Sequence, residues 1–63
     1  METTLSPGAF VRHPGAPEWG LGQVQSVIGS RATVTFEHRG KVLIDLRHVH
    51  LELVAAPGET PPG

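Results

Sequence analysis

The sequence predicts an all-β domain in which five short strands close into one small barrel. Three observations carry this. Eight glycines and six prolines in 63 residues punctuate the chain every few positions, which suits short strands joined by tight turns and leaves little room for long helices. Residues 31–37, Arg-Ala-Thr-Val-Thr-Phe-Glu, alternate apolar and polar with period two, the pattern of a sheet with one buried face. A chain this short buries a modest share of its surface, so closing the sheet gathers its few apolar residues into one core and removes open edges.

The elements follow in order. Residues 1–6 are polar without periodicity, and a disordered tail is expected. Pro7-Gly8 is a turn signal that opens a first strand over residues 9–13. Val11 is its core residue, with Ala9 and His13 on the same face and Phe10 and Arg12 on the other. Pro14-Gly15-Ala16-Pro17 breaks any regular element, because both prolines lack a backbone donor and fix their own φ. A loop partly stiffened by proline therefore leads to Glu18-Trp19. Gly20-Leu21-Gly22 then marks a bulge or sharp bend where a side chain would clash. A phosphate-binding glycine loop is excluded by context, since no helix follows whose N-terminus could hold an anion.

The second strand is expected over residues 23–28, where irregular spacing of Val24, Val27 and Ile28 implies a bulge. Gly29-Ser30 is a two-residue hairpin loop with glycine first, as a type II′ turn requires. Residues 31–37 form the third strand, with Ala32, Val34 and Phe36 inward. His38-Arg39-Gly40 turns the chain into a fourth strand over 41–45, with Val42 and Ile44 on one face and Leu43 on the other. Residues 46–50 make a short connection with one turn of 3₁₀-helix, and residues 51–54 a fifth strand with Leu51 and Leu53 inward. The Pro/Gly-rich residues 55–63 are expected to be disordered. The domain is thus residues 7–54, a five-stranded SH3-like barrel, and the expected core is Val11, Val24, Val27, Ala32, Val34, Phe36, Ile44, Leu51 and Leu53.

Composition narrows the function class. No cysteine is present, so no disulfide staples the fold, and a reducing cytoplasm is the natural setting. The first residues lack the basic and apolar regions of a signal peptide. No apolar run approaches the ~20 residues that span a bilayer, so no membrane role is expected. The formal charge is −1, from five basic and six acidic residues, which argues against a strong grip on phosphates. The serines have no activating neighbours, and Glu37 and Asp45 stand on separate turns and strand ends, so the chain reads as no enzyme. His13, His38, His48 and His50 lie mostly on separate segments without cysteine partners, so no metal and no other cofactor is expected.

Several residues nevertheless form a pattern. Pro7-Gly8-x-x-Val11-x-His13-Pro14, then Gly20-x-Gly22-x-Val24, then Val34-x-Phe36-x-x-x-Gly40-Lys41 resembles two related sets of bacterial domains. One is the C-terminal Tudor-like module of UvrD/PcrA-type DNA helicases. The other is the RNA-polymerase-interacting domain of CarD-like transcription regulators. The His-Pro…Pro-Glu-Trp-Gly-x-Gly-Gln-Val pattern is also similar to a family of short, stand-alone bacterial proteins classed as a domain of unknown function. The resemblance covers roughly residues 7–54 and rests on glycines and apolar positions. It implies a Tudor-like, SH3-type barrel without catalytic activity, docking on RNA polymerase or on DNA-repair proteins. Such contact can use strand addition at an open edge. The chain departs from the helicase pattern at Pro14-Gly15-Ala16-Pro17-Glu18, a longer and acidic spacer.

The candidate sites follow. Trp19 is either a plug over the barrel mouth or a partly exposed anchor, since tryptophan supplies both core area and interface hot spots. With Trp19 as anchor, Glu18, Arg12 and His13 form the polar rim of a partner-binding surface. The alternative is weak nucleic-acid binding through Arg12, Arg39 and Lys41, with too few aromatics for a stacking platform. The bland reading of those charges is ordinary solvated surface. A monomer is the simplest expectation for the chain alone.

Overall fold

The structure is a computed structural model and describes residues 5–61. Five strands form one antiparallel sheet: β1 (Phe10–Arg12), β2 (Leu21–Ile28), β3 (Arg31–Phe36), β4 (Gly40–Asp45) and β5 (Glu52–Ala55). Their order across the sheet is β4-β3-β2-β1-β5. The one helical element among the described residues is a 3₁₀ turn at Pro17–Trp19, where a plain loop was expected. Proline opens it without losing a bond, because the first helical N–H has no intrahelical partner anyway.

The β2–β3 hairpin is the spine. Gly29 takes φ +60° and no non-glycine residue among the described ones has positive φ, so the two-residue turn has the II′ sign pattern at Gly29-Ser30. Register runs from Ile28↔Arg31 to Gly22↔Phe36, with a slip between Val24 and Ser26. This is the bulge that the irregular apolar spacing implied. Gly22 is fixed by space rather than by conformation. A Cβ there would stand 2.7 Å from Phe36 Cδ1 and from Val34 Cγ1.

Closure does not follow. Among the described residues, β4 and β5 each have one neighbour and no ladder joins them, so the sheet is open rather than a closed barrel. β5 already pairs with β1, and its four residues are too few to carry the stagger that would also bring it against β4. The sheet still curls. Val11, Val24, Ala32, Val34, Phe36 and Ile44 are all 3% exposed or less, and a flat single sheet would leave that face wet. Leu5 and Leu51 complete the same cluster, with Trp19, Val27, Val42, Leu46 and Val49 packed around it.

The expected core needs two corrections. Val27 is only partly buried, because it lies beyond the bulge. Leu53 is 55% exposed, whereas Leu51 and Ala55 on either side are buried. β5 is an edge strand, and its register slips against β1 between Phe10 and Val11, so strict alternation does not hold there. The expected tails over 1–6 and 55–63 fall partly outside the described residues. Of the described part, Leu5 lies in the core and Ala55 ends β5. Residues 46–48 form a hydrogen-bonded turn instead of a 3₁₀-helix. The Asp45 carbonyl accepts from both His48 N–H (3.0 Å) and Val49 N–H (2.9 Å), and its carboxylate accepts from the Arg47 N–H at 3.0 Å. An Asp side chain that bonds the backbone two residues on selects a turn. No helix among the described residues is long and apolar enough to cross a membrane.

Candidate functional site

One end of the sheet gathers the residues singled out in the sequence. β1 finishes there at Arg12, β2 starts at Leu21, β3 finishes at Phe36, and β4 and β5 begin at Gly40 and Glu52. Trp19 lies across this end, half-buried. Its ring meets His13 edge-on, with centroids 4.9 Å apart, and meets Phe36 in the same manner at 5.2 Å. Edge-to-face pairs of this kind add about 0.5–1.5 kcal/mol beyond the area they bury. Trp19 is therefore neither a fully buried plug nor a free side chain. It is a fixed aromatic with part of its surface open.

The approach loop sets that orientation. The Ala16 N–H bonds the His13 carbonyl and the Trp19 N–H bonds the Ala16 carbonyl, both at 3.0 Å. Ala16 is buried beneath the turn, 8% exposed. The Gly15 N–H donates to His13 Nδ1 at 3.1 Å, which ties the His13 ring to its own loop. Gly20 closes the 3₁₀ turn at φ +78°, and a Cβ there would lie 2.8 Å from His38 Cδ2 and 3.0 Å from Glu37 Oε1. Both conformation and space call for glycine at this position.

The turn after β3 clasps the same end. The His38 N–H bonds the Trp19 carbonyl (3.0 Å) and the Glu37 N–H bonds the Leu21 carbonyl (2.9 Å). The Glu37 carboxylate accepts from the Leu21 N–H at 3.0 Å. Arg39 then places its guanidinium 5.5 Å from the Trp19 ring centroid, a cation–π contact worth about 0.5–1 kcal/mol at an exposed site.

The partner-binding set Trp19, Glu18, Arg12 and His13 is brought to one end of the molecule. Glu18 is exposed on the 3₁₀ turn. Arg12 is exposed and stands opposite Glu52 across the β1–β5 ladder. A small hollow of about 80 Å³ lies between them, lined by Arg12, His13, Pro14, Pro17, Gly20 and Glu52. The alternative set of Arg12, Arg39 and Lys41 is spread over β1, the β3–β4 turn and β4. Arg39 rests on Trp19, whereas Lys41 faces Thr35 on edge strand β4, three strands from Arg12 in sheet order.

Arg39, named in the sequence only for the alternative set, also lies against Trp19. A signal for it existed. Continuing the hairpin register three residues past Gly22↔Phe36 sets Leu21 opposite Glu37, Gly20 opposite His38 and Trp19 opposite Arg39. That count requires the one-residue bulge in β2, whose position the sequence left open. A larger, shallow hollow of about 390 Å³ on the outer face is lined by Phe10, Leu21, Gln23, Gln25, Thr35 and Glu37, among others. No group of three or more His, Asp or Glu side chains among the described residues is arranged to hold a metal ion.

Comparison with known proteins adds one finding. A family model described as "Protein of unknown function (DUF3553)" matches residues 5–54. No curated protein and no solved structure matches the chain.

Proposed function

Since the chain belongs to the DUF3553 family, which carries no assigned role, its function has to be argued from its own surface, and we propose that it is a non-catalytic protein-interaction module. The observation that carries this reading is Trp19, held in one orientation by His13, Phe36 and Arg39 yet only half-buried. An aromatic fixed before binding loses little freedom on contact, which is what makes tryptophan an effective anchor. Exposed Glu18 and Arg12 form the rim around it. The free edge of β5 begins beside it at Glu52 and exposes Leu53. An extended partner segment would add a strand to β5 and end against Trp19.

The curled sheet supports a Tudor-like, SH3-type plan, and the resemblance to helicase and CarD-like modules makes RNA polymerase or a repair protein the favoured partner, in the cytoplasm. Weak nucleic-acid binding has less support, because Arg39 is taken up on Trp19 and the formal charge is −1. The test is capture on immobilised protein, from bacterial lysate and from purified RNA polymerase. Wild type should retain a partner that Glu18→Lys and Arg12→Glu both lose, the variants being equally folded by circular dichroism. Identical captured sets for all three proteins would remove this end of the sheet from the account. Binding of a labelled DNA duplex instead, steeply weakened by salt, would favour the alternative.

A further inference from the structure

We propose that the β4 edge is a self-complementary interface through which two copies of this chain pair antiparallel, with the two-fold axis at Leu43. The backbone phase comes first. Val24 N–H bonds the Ala9 carbonyl, and the Val24 carbonyl accepts from Gly8 N–H, both at 2.8 Å. Val24 thus turns its polar groups toward the β1 side, so Val24↔Val34 is a pair without mutual hydrogen bonds. Val34 must then face β4, and pairing alternates along an antiparallel ladder. Given the register Arg31↔Asp45, Thr33↔Leu43, Val34↔Val42 and Thr35↔Lys41, Lys41, Leu43 and Asp45 direct their N–H groups away from β3. That edge has no proline and its ladder shows no register slip. Apart from its charged residues Lys41 and Asp45, the edge has none of the usual blunting features, and such edges are templates for another strand.

The side chains then select the occupant. With the axis at Leu43, Leu43 faces Leu43 of the second copy, Lys41 faces its Asp45, and Val42 faces its Ile44. Leu43 is 63% exposed in the single chain and would gain an apolar neighbour at the centre of the contact. The charges extend a row of register positions, since Arg31 stands opposite Asp45 within the chain, and the Asp45 carboxylate also holds Arg47 at 3.2 Å. The resulting order across the outer face is Arg31, Asp45, then Lys41 of the second copy. Sliding the register by two residues sets Lys41 against Leu43, or Leu43 against Asp45. Larger slides set like charges against each other. One register therefore combines charge and apolar match with the outward phase of the Lys41, Leu43 and Asp45 N–H groups, while the Asp45 carbonyl stays with His48 and Val49, and an isologous contact of this kind closes as a dimer rather than growing into a fibre. β5 and the Trp19 end stay free in such a dimer, so this inference is independent of the proposed function.

A short strand pair buries less than the ~1,200 Å² of a standard interface, so association should be weak and concentration-dependent. Sedimentation equilibrium up to millimolar protein should show a monomer–dimer equilibrium, with the Leu43 amide gaining exchange protection as concentration rises. Lys41→Glu sets like charges opposite each other twice and should weaken association about tenfold or more. Mixing Lys41→Glu with Asp45→Lys restores both opposite-charge pairs and should restore association as a heterodimer. Because Asp45 also holds the following turn, Leu43→Pro serves as a second block. It removes only an outward N–H and should leave a folded monomer. Wild type that stays monomeric at millimolar concentration would overturn the proposal, and so would Lys41→Glu associating as tightly as wild type.

Discussion

Trp19 shows how a single side chain can be read in part. The glycines around it and the prolines before it mark a join between loop and strand, and the structure puts a rigid turn at that join. What the residue touches was not legible, because His13, Phe36 and Arg39 reach it from three different segments. Gly22 is the opposite case. The sequence marked it as a place where a side chain would clash, and Phe36 and Val34 are the atoms it would meet. Neither neighbour can withdraw, as both are buried at 2% exposure or less. Gly22→Ala should therefore cost about 1–3 kcal/mol through overpacking, read as a lower urea midpoint with an unchanged denaturant slope.

At the scale of elements, β3 was legible because it is central. With partners on both edges and one face in the core, its period-two pattern maps directly onto burial. β5 was not, because an edge strand with a slipped register is free to depart from alternation, and Leu53 does so. The turn after β4 belongs to Asp45. The Arg47 side chain and then the Arg47 N–H, both bonding its carboxylate, hold the Asp45 pKa down from 3.8 to about 2, while Arg47 is held above its own usual value by the same pair. A carboxyl whose pKa is lower folded than unfolded stabilises the fold above the unfolded value. That contribution fades as pH falls from 3.8 through about 2. The effect is small, since the pair is solvent-accessible. Thermal unfolding of wild type and Asp45→Asn should differ at neutral pH and converge near the acid end. A constant difference down to the lowest pH would show that the carboxylate's charge is not what holds the turn.

For the whole molecule, strand number and the β2–β3 hairpin could be read from the sequence, but strand order and closure could not. Whether a sheet closes depends on stagger and on the lengths of its outer strands, which local pattern does not report. The consequence, among the described residues, is two sheet edges without a neighbouring strand. β5 adjoins the Trp19 end, and β4 lies at the other side of the sheet order. The two edges suit different proposed occupants, a partner segment on β5 and a second copy on β4. Trp19 is the proposed anchor for the partner. Trp19 is the sole tryptophan, so 5-fluorotryptophan labelling gives one ¹⁹F resonance that reports on this site alone. Titration with purified RNA polymerase, and separately with a UvrD/PcrA-type helicase, should shift or broaden that resonance with one of them, and Glu18→Lys should abolish the change. A resonance that stays sharp and unshifted at saturating excess of both would contradict the proposed function.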